Sequence, residues 1–176
     1  MIMKQKIHLY PVLILGLLLL YSYVVIKVIL FKFGTVDLDI LGELLYRVIE
    51  NPASLSQTMS YRSNLILLHT IKDSLVHPTT HNLINLFGNV AIFIPFGFLA
   101  GTMIKQLSFV VVMLLSFSFS LLLECAQIVF SMGTFDVDDL LLNTSGAFIG
   151  YLLWKLCKVL IKREEPSASP NKEVDG

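Results

Sequence analysis

Glu124 and Gln127 stand one helical turn apart in an otherwise apolar stretch, and Asp136, Asp138 and Asp139 follow closely after them. Asn85 and Asn89 precede this set, and Asn143 ends it. Carboxyl and carboxamide groups grouped in apolar surroundings suit three kinds of chemistry. They can pass a proton between carboxyls of unequal acidity, hold a hard cation through oxygen, or hydrogen-bond the polar head of a ligand. The eight residues are therefore read together as a candidate polar cleft. The bland reading competes at each position. Asparagine and glutamine inside membrane helices often only bond one helix to another, at well under about 2 kcal/mol each. An aspartate ahead of a helix is often only its N-cap.

Groups of this kind have to be held by structural elements, and composition says which. The chain has 176 residues, of which 55% are hydrophobic and 15% charged, and its 13 basic and 13 acidic residues cancel. That balance indicates an all-α integral membrane protein. It gives no electrostatic footprint for nucleic acid, and Trp154 stands alone rather than in a basic aromatic stripe. Cys125 and Cys157 sit in apolar runs without ligand-like spacing, so they read as small buried hydrophobes rather than a zinc site or a disulfide. No cofactor or metal motif is visible.

Four stretches reach the roughly 20 apolar residues that a bilayer demands: about Leu9 to Leu30, Ile84 to Met103, Phe109 to Phe130 and Leu140 to Leu160. The first follows Lys4 and Lys6 like a signal peptide, but its apolar run is too long and no small-residue cleavage site follows, so it reads as a retained helix. A bundle of four transmembrane helices is expected. Lys4, Lys6, Lys105, Lys155, Lys158, Lys162 and Arg163 fall on one side if both termini are cytoplasmic. Lys32, Arg47, Arg62 and Lys72 oppose that count from a long segment in which the rule discriminates less.

This segment, Phe31 to Asn82, is expected to be extracellular and interfacial. "DLDILGELLYRVIE" puts Ile40, Leu41, Leu44, Leu45 and Val48 on one helical face, as a helix lying on the membrane would. "ENPASLSQ" is expected to end that helix, and "NLILLHTIKDSLV" to supply a second interfacial element before "HPTTHN" turns the chain. After Arg163 the residues 164–176 read as a disordered cytoplasmic tail.

Helical periodicity aligns Ser116, Ser120, Glu124, Gln127 and Ser131 in one seam, His81, Asn82, Asn85 and Asn89 in a second, and Asp139, Asn143, Gly146 and Gly150 in a third. With the termini inside, all three seams bring their polar groups to the outer half of the bilayer. The expected result is a cleft open to the exterior and rimmed by Asp136, Asp138 and Asp139. "GFLAG" and "GAFIG" are small-xxx-small patterns that serve either packing within the chain or a homo-oligomer, and Pro95 is expected to kink its helix.

"GNVAIFIPFGFLAG", "ECAQ" and "GTFDVDDLLLNTSGAFIGY" together resemble the VanZ-like family of bacterial membrane proteins, whose founding member is associated with teicoplanin resistance. The resemblance covers about half the chain, with weaker echoes in "ILFK" and in "NLI" at Asn64. It carries family positions onto Asn64, Asn89, Pro95, Gly97, Glu124, Gln127, Asp136, Asp139, Asn143, Gly146 and Gly150. Many relatives have arginine where this chain has Gly133, and proline and phenylalanine where it has Leu67 and Leu68. Without that arginine the acidic rim is uncompensated unless Arg47 or Arg62 folds over it.

The resemblance implies a protein of the bacterial cell membrane that lowers susceptibility to teicoplanin-like lipoglycopeptides at the outer leaflet. Its partners would be membrane lipids and a lipoglycopeptide or lipid-linked glycan. The alternative is a membrane enzyme modifying an envelope lipid or lipid-linked glycan through Glu124 and Asp136 or Asp139, whose oxygens could equally hold a divalent cation. Familiar hydrolase and nucleotide motifs are missing. A third reading, proton-linked transport through Glu124, would need an oligomer.

Overall fold

The computed structural model describes residues 2–31, 37–103 and 108–164. The expectations for Lys32, Lys105 and the polar tail from residue 165 onward fall outside them. Seven helices are present among the described residues. They are α1 (Ile2–Phe31), α2 (Leu38–Glu50), α3 (Ala53–Arg62), α4 (His69–Val76), α5 (Thr80–Met103), α6 (Phe109–Val129) and α7 (Val137–Glu164). Two-residue strands β1 (Ser63–Asn64) and β2 (Phe135–Asp136) pair in parallel, Ser63 beside Phe135 and Asn64 beside Asp136.

Four helices carry segments long and apolar enough to cross a bilayer: Val12–Phe31, Thr80–Met103, Phe109–Val129 and Val137–Ile161. They match the four expected spans to within a few residues. Their outer faces stay apolar, as at Leu19, Leu114, Leu122 and Leu156, because lipid is as good a partner for leucine as a core is. Cys125 and Cys157 lie on that outer surface, which corrects the expectation of burial. The same indifference explains it: an apolar run leaves open which face turns inward.

α5 and α7 form the tightest pair. A Cβ built on Gly97 would sit 1.9 Å from the Ala147 carbonyl oxygen, on Gly146 2.1 Å from that of Val90, and on Gly150 1.9 Å from that of Ile94. Backbone therefore lies directly on backbone, and the small-xxx-small patterns pack within the chain. Phe93, Phe96 and Leu123 fill the centre with Val25 of α1 and Ala147, and Phe96 stacks on Phe119 at 5.2 Å. The Tyr21 hydroxyl of α1 donates to the Ile92 carbonyl of α5. Pro95 lies exposed inside α5, which continues through it.

α2 forms where its periodicity places it, with Asp37 capping the Asp39 and Ile40 amides at 3.0 and 3.2 Å. α3 is a helix that the sequence reading missed. "ENPASLSQ" does end α2, but Pro52 then starts a new helix, a position where its missing N–H costs nothing. Its hydroxyl side chains turn back onto the helix: Thr58, Ser60 and Ser63 donate to the Ser54, Ser56 and Met59 carbonyls.

α6 ends in a Schellman motif. The Met132 amide reaches the Gln127 carbonyl and the Ser131 amide reaches that of Ile128, with Ser131 in the left-handed region at φ 51°. Ser131 thus leaves the polar seam of α6 and stands exposed in the turn to β2.

Candidate functional site

Two groups of polar residues meet where β2 enters α7. The first is a network of satisfied carboxyls. Glu124, 1% exposed, accepts the Asp136 amide at 2.9 Å. Asp136 accepts the Asp138 amide at 2.8 Å and so caps α7, as an aspartate at this position should. Its carboxyl also takes the Thr70 hydroxyl at 2.5 Å and the Asn64 amide group at 3.2 Å. Asn64 gives its second bond to the Thr70 hydroxyl at 2.9 Å.

Asp138 serves a different helix from its own. The N-cap of α4 is Leu68, which has no side chain able to cap and sits in the left-handed region at φ 64°. Asp138 supplies the missing acceptor, taking the Leu68 amide at 2.6 Å and the Ile71 amide at 3.1 Å. A carboxylate at a helix N-terminus satisfies free amides and meets the positive end of the helix dipole. Together with the β1–β2 pair, these bonds fasten the β1–α4 segment over the top of α6 and α7.

This arrangement corrects the expected open rim. Asp138 is fully buried and Asp136 is 8% exposed, both beneath the β1–α4 segment. Asp136 and Asp138 looked like part of a solvated lip because their donors, Asn64 and Thr70 for the first and Leu68 and Ile71 for the second, lie some seventy residues earlier in the chain.

The second group lies deeper. Asn85 and Asn89 of α5 face the Asp139 carboxyl of α7, and Glu124 of α6 lies close enough to Asp139 for their charges to interact. One turn further in, the Asn143 side-chain amide donates to the Ser120 hydroxyl at 2.8 Å. Polar side chains from three spans thus converge, as their seams indicate. Gln127 is buried but turns away to the loop after α6, where its side chain fills the space beside Gly133. His81 is exposed, and Asn82 donates to the His77 carbonyl near the start of α5 instead of joining the group.

The deeper group differs from the upper one in what it leaves unmatched. Asn143 Oδ1, Ser116 Oγ and Thr144 Oγ1 are buried and have no hydrogen-bond partner among the described residues, and Asn89 Nδ2 and Asp139 Oδ1, although their side chains face each other, are buried without a hydrogen bond of standard geometry. Each such group costs roughly 1–3 kcal/mol unless something meets it. The ion pairs among the described residues, Arg47 with Glu43 and His77 with Asp73, lie on the surface helices. Arg62 does fold towards the acidic turn, but it donates to the Ser131 carbonyl at 2.9 Å rather than to a carboxyl. No group of three or more metal-ligating His, Cys, Asp or Glu side chains occurs among the described residues.

Four apolar spanning helices with a buried polar centre define a polytopic membrane protein. The VanZ/LLP1 family model matches residues 9–158, and the chain belongs to that family. It is also similar to "Protein VanZ" of Enterococcus faecium, at 36% identity over 77 residues, or 44% of this chain. The match spans 48% of that relative, so the chain covers about half the length of the curated relative it matches. No solved structure matches.

Proposed function

We propose that the protein acts in the bacterial cell envelope, with both termini cytoplasmic, and lowers susceptibility to teicoplanin-like lipoglycopeptides at the outer leaflet. The observation that carries this reading is the deeper polar group. Asn143 keeps an unmatched oxygen, and Asn89 and Asp139 keep polar atoms without a standard hydrogen bond, in a buried place fed by three spans. Acidic oxygen without a cationic partner complements a basic, hydrogen-bonding ligand head, and the apolar faces around it complement an acyl chain. Family membership supports the same role. The basic residues at the α1 and α7 ends support the orientation, which puts α2, α3 and α4 outside.

The test is isosteric. Glu124→Gln and Asp139→Asn are introduced separately, membrane levels of the protein are matched, and sensitivity to teicoplanin is compared with sensitivity to a glycopeptide lacking an acyl chain. Each variant should restore teicoplanin sensitivity. Unchanged sensitivity at equal protein level would refute the site.

One observation favours a second reading. Glu124 and Asp139 are neighbouring carboxyls, and Asp139 keeps an oxygen without a standard hydrogen bond whereas Asp136 is occupied by three donors. Such a pair suits acid and base work on an envelope lipid or lipid-linked glycan. Lipid analysis of membranes with and without the protein separates the two: a lipid species that appears or vanishes indicates chemistry.

A further inference from the structure

Leu65, Ile66, Leu67 and Leu68 form the turn between β1 and α4, and all four are exposed. The first three are 62%, 67% and 62% exposed. Adjacent apolar side chains turned out of the protein call for another apolar phase, and the bonds around the turn say where it lies.

The segment is tied to the ends of two spans. Before the turn, Arg62 donates to the Ser131 carbonyl, two residues past the end of the α6 span, and Asn64 pairs with Asp136, one residue before the α7 span. After it, the Leu68 and Ile71 amides donate to Asp138, the second residue of that span. Ile66 stands two residues from Asn64 and two from Leu68, so its Cα lies within about 7 Å of each of theirs. The turn therefore sits at the level where α6 leaves the bilayer and α7 enters it.

Its backbone and its flanks suit that level. The Ile66 amide donates to Asn64 Oδ1 at 3.2 Å and the His69 amide to the Ile66 carbonyl at 3.2 Å, so with the Leu68 amide on Asp138 three donors of the turn need no water. Tyr61, Arg62 and Lys72 flank the apolar residues and are exposed, and no acid lies between Tyr61 and Lys72. Aromatic and basic side chains around an apolar tip complement a headgroup layer, whose phosphates are anions. A second copy docking through the same turn would instead set these cations against each other.

We propose that the turn inserts Leu65, Ile66 and Leu67 into the lipid leaflet at the β2 end of the bundle, with Tyr61, Arg62 and Lys72 among the headgroups. Lipid then holds from outside the segment that Asp136 and Asp138 hold from within. The contact does not depend on the function assigned to the polar group around Asp139.

The experiment reads the phase around the turn. The full chain carrying Ile66→Cys, Cys125→Ser and Cys157→Ser is spin-labelled and reconstituted in vesicles of phosphatidylcholine and phosphatidylglycerol. Oxygen concentrates in lipid and a nickel chelate stays in water. Power saturation should find the spin at position 66 more accessible to oxygen than to nickel. The unaltered chain gives a second measurement that needs no substitution: a lipid-dissolved diazirine irradiated in the same vesicles should label residues 65–67, and a water-soluble diazirine should leave them unlabelled. Greater access to nickel, or labelling of the turn only from water, would put it in solvent. Spin–spin broadening that vanishes on dilution with unlabelled protein would put a second copy over it. Each of these results overturns the proposal.

Discussion

Adding one methyl group to Gly97 should cost this protein more than any other single-carbon change in α5. The Cβ would arrive 1.9 Å from the Ala147 carbonyl oxygen, whereas real Cβ atoms essentially never come within 3.0 Å of another heavy atom. The obstacle is backbone, so no rotamer can relieve it, and α5 and α7 must part by about 1 Å. Parting them loosens the Gly146 and Gly150 contacts on the same interface, where lost dispersion adds to the strain. Overpacking of this kind costs about 1–3 kcal/mol. Gly88, on the same helix, provides the control. Its Cβ would meet nothing within 4 Å, so alanine there should be neutral or stabilise by up to about 1 kcal/mol through helix propensity. Reversible unfolding of the purified protein by SDS titration in mixed micelles measures both. Gly97→Ala should unfold at clearly lower SDS and Gly88→Ala should not. If the two variants unfold together, the backbone contact between α5 and α7 is not what holds the bundle.

Asp138→Ala should unlatch the β1–α4 segment, because two amides at the start of α4 lose their acceptor, at a cost of about 1–2 kcal/mol. Hydrogen exchange should then quicken over residues 64–76 while α5 and α7 stay protected, and uniform exchange in both regions would contradict the capping role. Ser131→Gly should stabilise the α6 terminus by a few tenths to about 1 kcal/mol, since glycine takes the φ of 51° without a Cβ penalty. A loss of stability in the same SDS titration would instead mean that the serine side chain matters. Asn143→Leu should leave the Ser120 hydroxyl without its donor in a buried site and destabilise by about 1–3 kcal/mol.

The parts of this fold written in periodicity were legible from the residues alone. Twenty-residue apolar runs have few other uses, so the spans at α1, α5, α6 and α7 follow directly, and the polar seams through Ser120, Glu124, Asp139 and Asn143 face inward because lipid excludes them. The amphipathic stripe likewise placed α2. What was hidden depended on distant partners. Nothing local to "FDVDD" says that Asp138 caps α4 or that Asp136 takes Thr70, and an acid with a remote donor looks the same as one in water. α3 was hidden for another reason. Its serines and Thr58 bond their own backbone carbonyls, a local solution that propensity scales count against a helix. Gly133 yields its meaning only with the Gln127 side chain beside it: a Cβ there would come within 2.8 Å of Gln127 Cδ, so any larger residue requires Gln127 to shift.

Two carboxyls that serve one ligand must fail as one. Teicoplanin sensitivity of cells expressing Glu124→Gln, Asp139→Asn and the double variant at matched membrane levels tests this directly. Acting together, the two groups predict that either single change removes most of the protection and that the double change removes no more. Protection that falls in two independent steps, or that survives both substitutions, would mean that the polar residues gathered beneath β2 are not the functional site.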